Sequence, residues 1–178
     1  MNLRSAPLSR LCNLMAMGTL VSVLVAGCAS SLPVPREPIA LTTPRMLHVT
    51  EQRPGEAVND AMLIVQSEGS GTRWSLFDPL GAPRARQILE DGQWRTDGFL
   101  PPNAKARSLF AALIFAWTPQ AELASRYGAS NVTLADHTRI LNAQGKPLVS
   151  VTPMPGDTLR IELNDGTRWQ VMPLKEKP

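Results

Sequence analysis

His48 and His137 are the only histidines in the chain, and no HxxxH or HExxH spacing or cluster of carboxylates joins them. A metal site built on imidazole needs such spacing to bring its ligands to one ion. Each histidine therefore reads as a surface or edge-strand side chain. The stretch Ser67-Glu68-Gly69-Ser70-Gly71 sets a serine between glycines. A nucleophile elbow, however, is Gly-x-Ser-x-Gly between a strand and a helix, and here strand-forming segments flank it on both sides. The same glycines lack the following helix whose N-terminal amides would hold a phosphate. The stretch reads as a flexible turn. No residue set acquires a catalytic role, so the chain is expected to be non-enzymatic, with no cofactor and no metal.

Chemistry is expected at one cysteine. Arg4 and Arg10 precede a mostly apolar stretch from Leu11 to Val25, broken by Asn13, Gly18, Thr19 and Ser22, which is the form of a secretory signal. It is too short and too interrupted to span a bilayer. The stretch ends in Leu24-Val25-Ala26-Gly27-Cys28, which looks like a lipobox, so residues 1–27 are expected to be a signal peptide and Cys28 the lipid-modified first residue of the mature protein. Cys12 leaves with the signal and Cys28 is consumed by lipid, so no thiol remains for a disulfide or a metal. One acyl chain binds a membrane only marginally, while two or more hold stably. Position 29 is Ala rather than the Asp that signals inner-membrane retention in Gram-negative lipoproteins, so the expected location is the periplasmic face of the outer membrane.

Charge excludes one class of partner. Lys and Arg number 18 against 15 Asp and Glu, and removing Arg4 and Arg10 with the signal brings the balance close to neutral. No run of like charge and no aromatic-basic stripe remains, so nucleic acid has no electrostatic footprint here.

The elements that must position any site follow from periodicity. Residues 28–45 hold Pro33, Pro35, Pro38 and Pro44, a composition that favours extended polyproline geometry and disfavours a core. They are read as the lipidated N-terminus and a tether, leaving 46–178 as a single domain. In that domain, strand-like segments recur between turn signals. They are Ala61 to Val65, Arg73 to Phe77, Arg84 to Leu89 and Gln93 to Thr96, with Asp91-Gly92 suited to a tight hairpin. Later come Val132 to Leu134, Thr138 to Leu141 and Pro147 to Val151. Leu159 to Leu163 and Thr167 to Val171 form the clearest hairpin, around Asn164-Asp165-Gly166. Between these groups, Asn103 can cap a helix over 104–117. The second half of that helix, Leu109 to Trp117, is apolar on every face and so must be buried on most sides. Thr118 and Pro119 match an N-cap and a first helical proline, leading a short helix over 121–127 that Gly128 ends. The expected class is α+β, with an apolar helix and a short second helix packed on an antiparallel sheet.

Three segments carry a family resemblance: Trp74-Ser75-Leu76-Phe77-Asp78-Pro79-Leu80-Gly81-Ala82-Pro83-Arg84, the Phe99-Leu100-Pro101-Pro102 step into a helix ending Trp117-Thr118-Pro119, and Gln144-Gly145-Lys146-Pro147. With them the chain resembles the DUF3261 lipoproteins over about residues 60 to 174. Members of that family occur in aryl-polyene or fatty-acid-like biosynthesis clusters, which implies lipid traffic at the outer membrane. In architecture the chain is also similar to LolA/LolB-type half-barrels, curved antiparallel sheets with helices on the concave face. That likeness implies lipid-like or lipoprotein cargo and a periplasmic carrier protein as partner. The sequence does not single out the protruding leucine loop that such receptors use.

Two functions follow as expectations. In the first, Leu109, Phe110, Leu113, Ile114, Phe115 and Trp117 line an apolar groove for an acyl, polyene or lipoprotein chain, since such ligands gain affinity from buried area and need few polar contacts. In the second, the protein is a structural or docking subunit of an envelope complex such as an aryl-polyene or fatty-acid-like biosynthesis system. The first demands a continuous apolar cavity under the sheet; the second, a closed core and an exposed apolar patch.

Overall fold

A computed structural model of the chain describes residues 32–174. The signal segment, Cys28 and Ala29 lie outside the described residues. Ten strands form one open sheet, each neighbouring pair antiparallel, in the order β5-β4-β3-β2-β1-β10-β9-β8-β7-β6. They are β1 (Arg45–Gln52), β2 (Asn59–Glu68), β3 (Gly71–Phe77), β4 (Pro83–Glu90), β5 (Gln93–Thr96), β6 (Val132–Ala135), β7 (Thr138–Ala143), β8 (Lys146–Met154), β9 (Thr158–Leu163) and β10 (Arg168–Pro173). Between the two edge strands come helix α1 (Ala104–Trp117), a 3-10 turn (Gln120–Glu122) and helix α2 (Leu123–Tyr127). The class is α+β, as expected, with two short helices.

Each half of the sheet is a meander, and the halves meet where β1 pairs with β10. Leu47 lies between Leu63 and Pro173, and Val49 between Ala61 and Val171. Alternation then puts one apolar row on one face. Leu47, Val49, Leu63, Val65, Trp74, Val149, Val151, Ile161, Trp169 and Val171 are buried with α1 in one core. We call this the inner face. On the outer face Asp97 receives Arg73 Nε and Arg86 Nη2, each at 2.9 Å, and Ile88 is buried there away from the main core.

Helix α1 spans the expected residues. Asn103 accepts a hydrogen bond from the Ala106 amide at 3.0 Å, which satisfies one of the free amides of the first turn. Ala106 and Leu109 to Phe115 are all buried, so this helix has no solvent face over its second half and forms the centre of the core. The Asp91-Gly92 hairpin takes positive φ at both residues, 50° and 72°, as a tight turn of this hand requires.

Two expectations need correction. Thr118 does not cap α2. It ends α1, donating its hydroxyl to the Ile114 carbonyl at 2.8 Å, and Pro119 opens the 3-10 turn without a side-chain cap. A proline after Thr118 suits either role, and here the Ile114 carbonyl accepts both the Thr118 amide, at 3.0 Å, and its hydroxyl. The Pro-rich segment, expected as a tether that avoids a core, runs without regular structure but buries Leu32 and Ile39 and packs Val34 and Leu41 beside them. Proline disfavours helix and sheet. It does not prevent the apolar residues between prolines from docking. We call residues 32–44 the strap.

Candidate functional site

The expected groove residues come together. Leu109, Phe110, Leu113, Ile114 and Phe115 are fully buried against the inner face, while Trp117, at the C-terminal end of α1, is only partly buried. Trp117 stacks on Trp74 at a centroid distance of 5.9 Å, Phe110 meets it tilted at 5.4 Å, and Trp94 closes on it edge-on at 6.0 Å. Phe115 meets Tyr127 of α2 edge-on at 5.1 Å. Such pairs add to the stabilisation from buried area. The groove is thus filled by the helix itself, and the space left under the strap beside Ile114 is about 30 Å³.

The open apolar space lies instead at the C-terminal end of α1, where the start of β1, the end of β10 and the β8–β9 turn surround a half-open cavity of about 580 Å³. Its walls include Leu47, Trp117, Pro153, Leu159 and Val171, and the polar residues Arg45, Asp157 and Thr158 also line it. Arg45 stands at its rim, with its guanidinium carbon 4.5 Å from the Trp117 ring centroid and its Nε donating to the Thr42 carbonyl at 3.0 Å. The described residues place no carboxylate within ion-pair distance of Arg45. Arg45 is therefore a cation over an apolar opening, held by an aromatic face.

Inward-facing polar groups surround the same helix. Arg139 on β7 lies opposite the inner-face residue Val151, and its Nη1 donates to the carbonyls of Ala116 and Thr118, at 2.9 and 2.6 Å. This places a positive charge at the negative end of the helix dipole. Burial lowers the Arg139 pKa from its ordinary value. Tyr127 is pushed up to about 12 by burial, against the opposing pull of the Thr118 side chain and the Arg126 charge. Gln87, on the inner face opposite Trp74, is buried with neither amide atom hydrogen-bonded to the protein. Patterns of apolar residues could not have found Arg45, Gln87 or Arg139, since each is a polar residue on the apolar face.

The strap closes the other side of this end. Arg126 Nη1 donates to the Glu37 carbonyl at 2.8 Å, and the hydroxyls of Thr43 and Ser67 lie 2.6 Å apart. A Cβ on Gly92 would stand 2.8 Å from the Arg36 Cα, so the β4–β5 turn fits the strap only as glycine.

At the opposite end of the sheet, beside the N-terminus of α1, Leu80 and Phe99 are fully exposed. Asn103 Nδ2 donates to the Arg84 carbonyl at 3.3 Å and the Asp97 amide to that of Arg86 at 3.1 Å, bringing the loop that carries Phe99 beside the start of β4 and thus to the end where the turn with Leu80 lies.

The histidines and the serine between glycines stay apart. His48 lies on the outer face of β1 with Nε2 3.0 Å from Asp60 Oδ1. His137 is exposed in the β6–β7 turn, and Ser70, in the β2–β3 turn, donates its hydroxyl to Glu90 at the end of β4. Among the described residues no helix is long and apolar enough to cross a membrane, and no group of three or more His, Cys, Asp or Glu is placed to hold a metal.

The site thus defines a class: an open antiparallel sheet whose inner face is closed by one apolar helix and a strap, with an apolar mouth at the helix end. No family model matches the chain, and no curated protein matches it.

Proposed function

We propose that the protein is a lipid-anchored, non-enzymatic envelope component of the LolA/LolB half-barrel type, held through Cys28 at the outer membrane, that accepts acyl, polyene or lipoprotein cargo at the mouth beside Trp117. The observation that carries this reading is the half-open cavity of about 580 Å³ at the end of α1, walled on one side by Leu47, Trp117, Leu159 and Val171. Such a mouth rewards an apolar chain in proportion to the area it buries, and Arg45 at its rim suits an acidic head group. The likeness to DUF3261 lipoproteins points the same way.

The test is native mass spectrometry with lipid extraction on the full-length chain carrying Cys28→Ser, made in an envelope-competent host. Acyl or polyene species should co-purify and be lost with Leu159→Glu, whose side chain lines the mouth. Leu113→Glu would be uninformative, because Leu113 is fully buried at the core's centre. An empty protein that also takes up no fatty-acid probe overturns the cargo reading.

One observation favours the second reading, a docking subunit of an envelope biosynthesis complex. No continuous cavity runs under the sheet, since α1 fills it, and Leu80 and Phe99 are each exposed at the far end. If that reading holds, Leu80→Ser with Phe99→Ser abolishes cross-linking to a partner and leaves lipid content unchanged.

A further inference from the structure

The outer face of the sheet carries an arrangement that neither reading uses, although Met46 at its edge also lines the mouth beside Trp117. His48 on β1 lies directly opposite Met62 on β2 and Met172 on β10, so a thioether flanks the imidazole on each side in one cross-strand row. Residues so opposed have Cβ atoms about 4.5–5.5 Å apart, within reach of one ion for a long, flexible methionine. Met46 stands two residues before His48 on the same strand and face. Of the methionines among the described residues, only Met154 lies elsewhere, on β8 three strands away. Around this row the outer face is mixed: Ile64 lies opposite Met46 and Phe77 opposite Met62, while Thr50, Asp60 and Gln170 make the next row polar. A partly exposed group of methionines around the one histidine of the sheet contributes nothing to the core on the other face.

The second observation is how the row is held. Asp60 Oδ1 lies 3.0 Å from His48 Nε2 and also accepts the Thr50 hydroxyl at 3.1 Å. A carboxylate on one ring nitrogen fixes the tautomer of a neutral imidazole and leaves the lone pair on the other, Nδ1, which is the usual support for a ligating histidine. Gln170 Nε2 lies 4.0 Å from Met172 Sδ.

We propose that His48, Met62 and Met172, with Met46 beside them, form a binding site for a soft monovalent cation, copper(I) or silver(I). Thioethers select copper(I), while hard cations take oxygen ligands and zinc prefers thiolate, imidazole and carboxylate. The set of one imidazole and two or three thioethers is neutral, so it suits a singly charged ion. Asp60 is a positioning residue, acting through the His48 ring.

Silver(I) is the probe, because it needs no reductant. The full-length chain with Cys12→Ser and Cys28→Ser, in detergent, is titrated while the methionine methyl resonances, assigned by single Met→Leu variants, are followed. One silver(I) should bind per chain, shifting the methyls of Met62, Met172 and Met46 but not that of Met154. Met62→Leu with Met172→Leu, a swap that conserves volume, should weaken binding about 100-fold or more, the upper end of losses seen at ligand shells. Asp60→Asn should weaken it about tenfold, and zinc(II) should not compete. Methyls of Met62 and Met172 that stay put at saturating silver(I), or a double variant that binds as tightly as the parent, overturns the site.

Discussion

Tyr127 is the only tyrosine in the chain, so its ionisation can be followed by tyrosinate absorbance with no overlapping signal from another phenol. Its ring packs edge-on against Phe115 of α1, and burial pushes its pKa from 10.0 up to about 12. Below pH 10 the phenol is protonated whether the chain is folded or not, and stability does not depend on it. Between pH 10 and pH 12 the unfolded chain loses its proton and the folded one keeps it, so the unfolded state is favoured as pH rises. A shift of about two units corresponds to about 3 kcal/mol lost across that window. Tyr127→Phe removes the titration, so the stability difference between variant and parent should be flat up to pH 10 and then move in the variant's favour by that amount. Comparing the two at each pH cancels the lysines and arginines that titrate in the same range. Denaturant unfolding in steps of pH, alongside the absorbance titration, measures both quantities. A reversible tyrosinate midpoint near 10 in the folded protein would mean that α2 does not bury Tyr127 on Phe115, and the closed end of the core would have to be redrawn.

Gln87→Leu should stabilise the domain by about 1–2 kcal/mol, because it removes a buried amide that no protein group satisfies; a thermal midpoint unchanged or lowered would show that Gln87 has a partner. Arg139→Ala should cost about 2 kcal/mol by removing two charged hydrogen bonds from the C-terminal carbonyls of α1, and Arg139→Lys should recover only part of it, since one ammonium is a poorer match than a guanidinium fork; equal loss in both variants would point to packing instead. Gly92→Ala should cost about 1–2 kcal/mol through the left-handed φ and, by pushing on Arg36, should speed hydrogen exchange at Ile39 and Leu41 selectively. Exchange that rises evenly over the domain would mean the strap is not held by this turn.

Local rules made much of the fold legible. Asn103, with two prolines before it, marked the start of α1, and the absence of Gly and Pro up to Trp117 marked its length. Asp91-Gly92 and Asn164-Asp165-Gly166 marked hairpins because few residues tolerate positive φ. What was not legible depends on distant partners. β1 was not separated from what precedes it, although Leu47 and Val49 alternate with His48 and Thr50, because a single short alternation acquires meaning only when β2 and β10 flank it. That closure joins residues from opposite ends of the domain, and no local pattern encodes it. Composition read the strap as a tether, since proline content does not report whether Leu32 and Ile39 find a surface. The groove residues were legible as apolar mass, but whether that mass lines a cavity or fills one is decided by packing.

That last distinction bears on how cargo could be accepted at all. Leu109, Phe110, Leu113, Ile114 and Phe115 are each fully buried, and each contributes about 1.5–3 kcal/mol by leaving water. Expelling α1 would thus cost on the order of 10 kcal/mol, comparable to the whole stability of a domain, about 5–15 kcal/mol. An acyl chain returns about 0.8 kcal/mol per buried methylene, so it would have to bury on the order of a dozen methylenes merely to offset the loss. A helix so placed is a poor plug to remove as a unit. Trp117 is different, being only partly buried at the last turn, one residue before the Thr118 that ends α1 and beside the half-open cavity. Rotating its ring off Trp74 would widen the mouth while Leu109 to Phe115 stay in place. Under the cargo reading, then, specificity resides in Trp117, Arg45 and Leu159 at the mouth. The apolar residues of α1 from Leu109 to Phe115 supply the fixed wall against which that mouth opens.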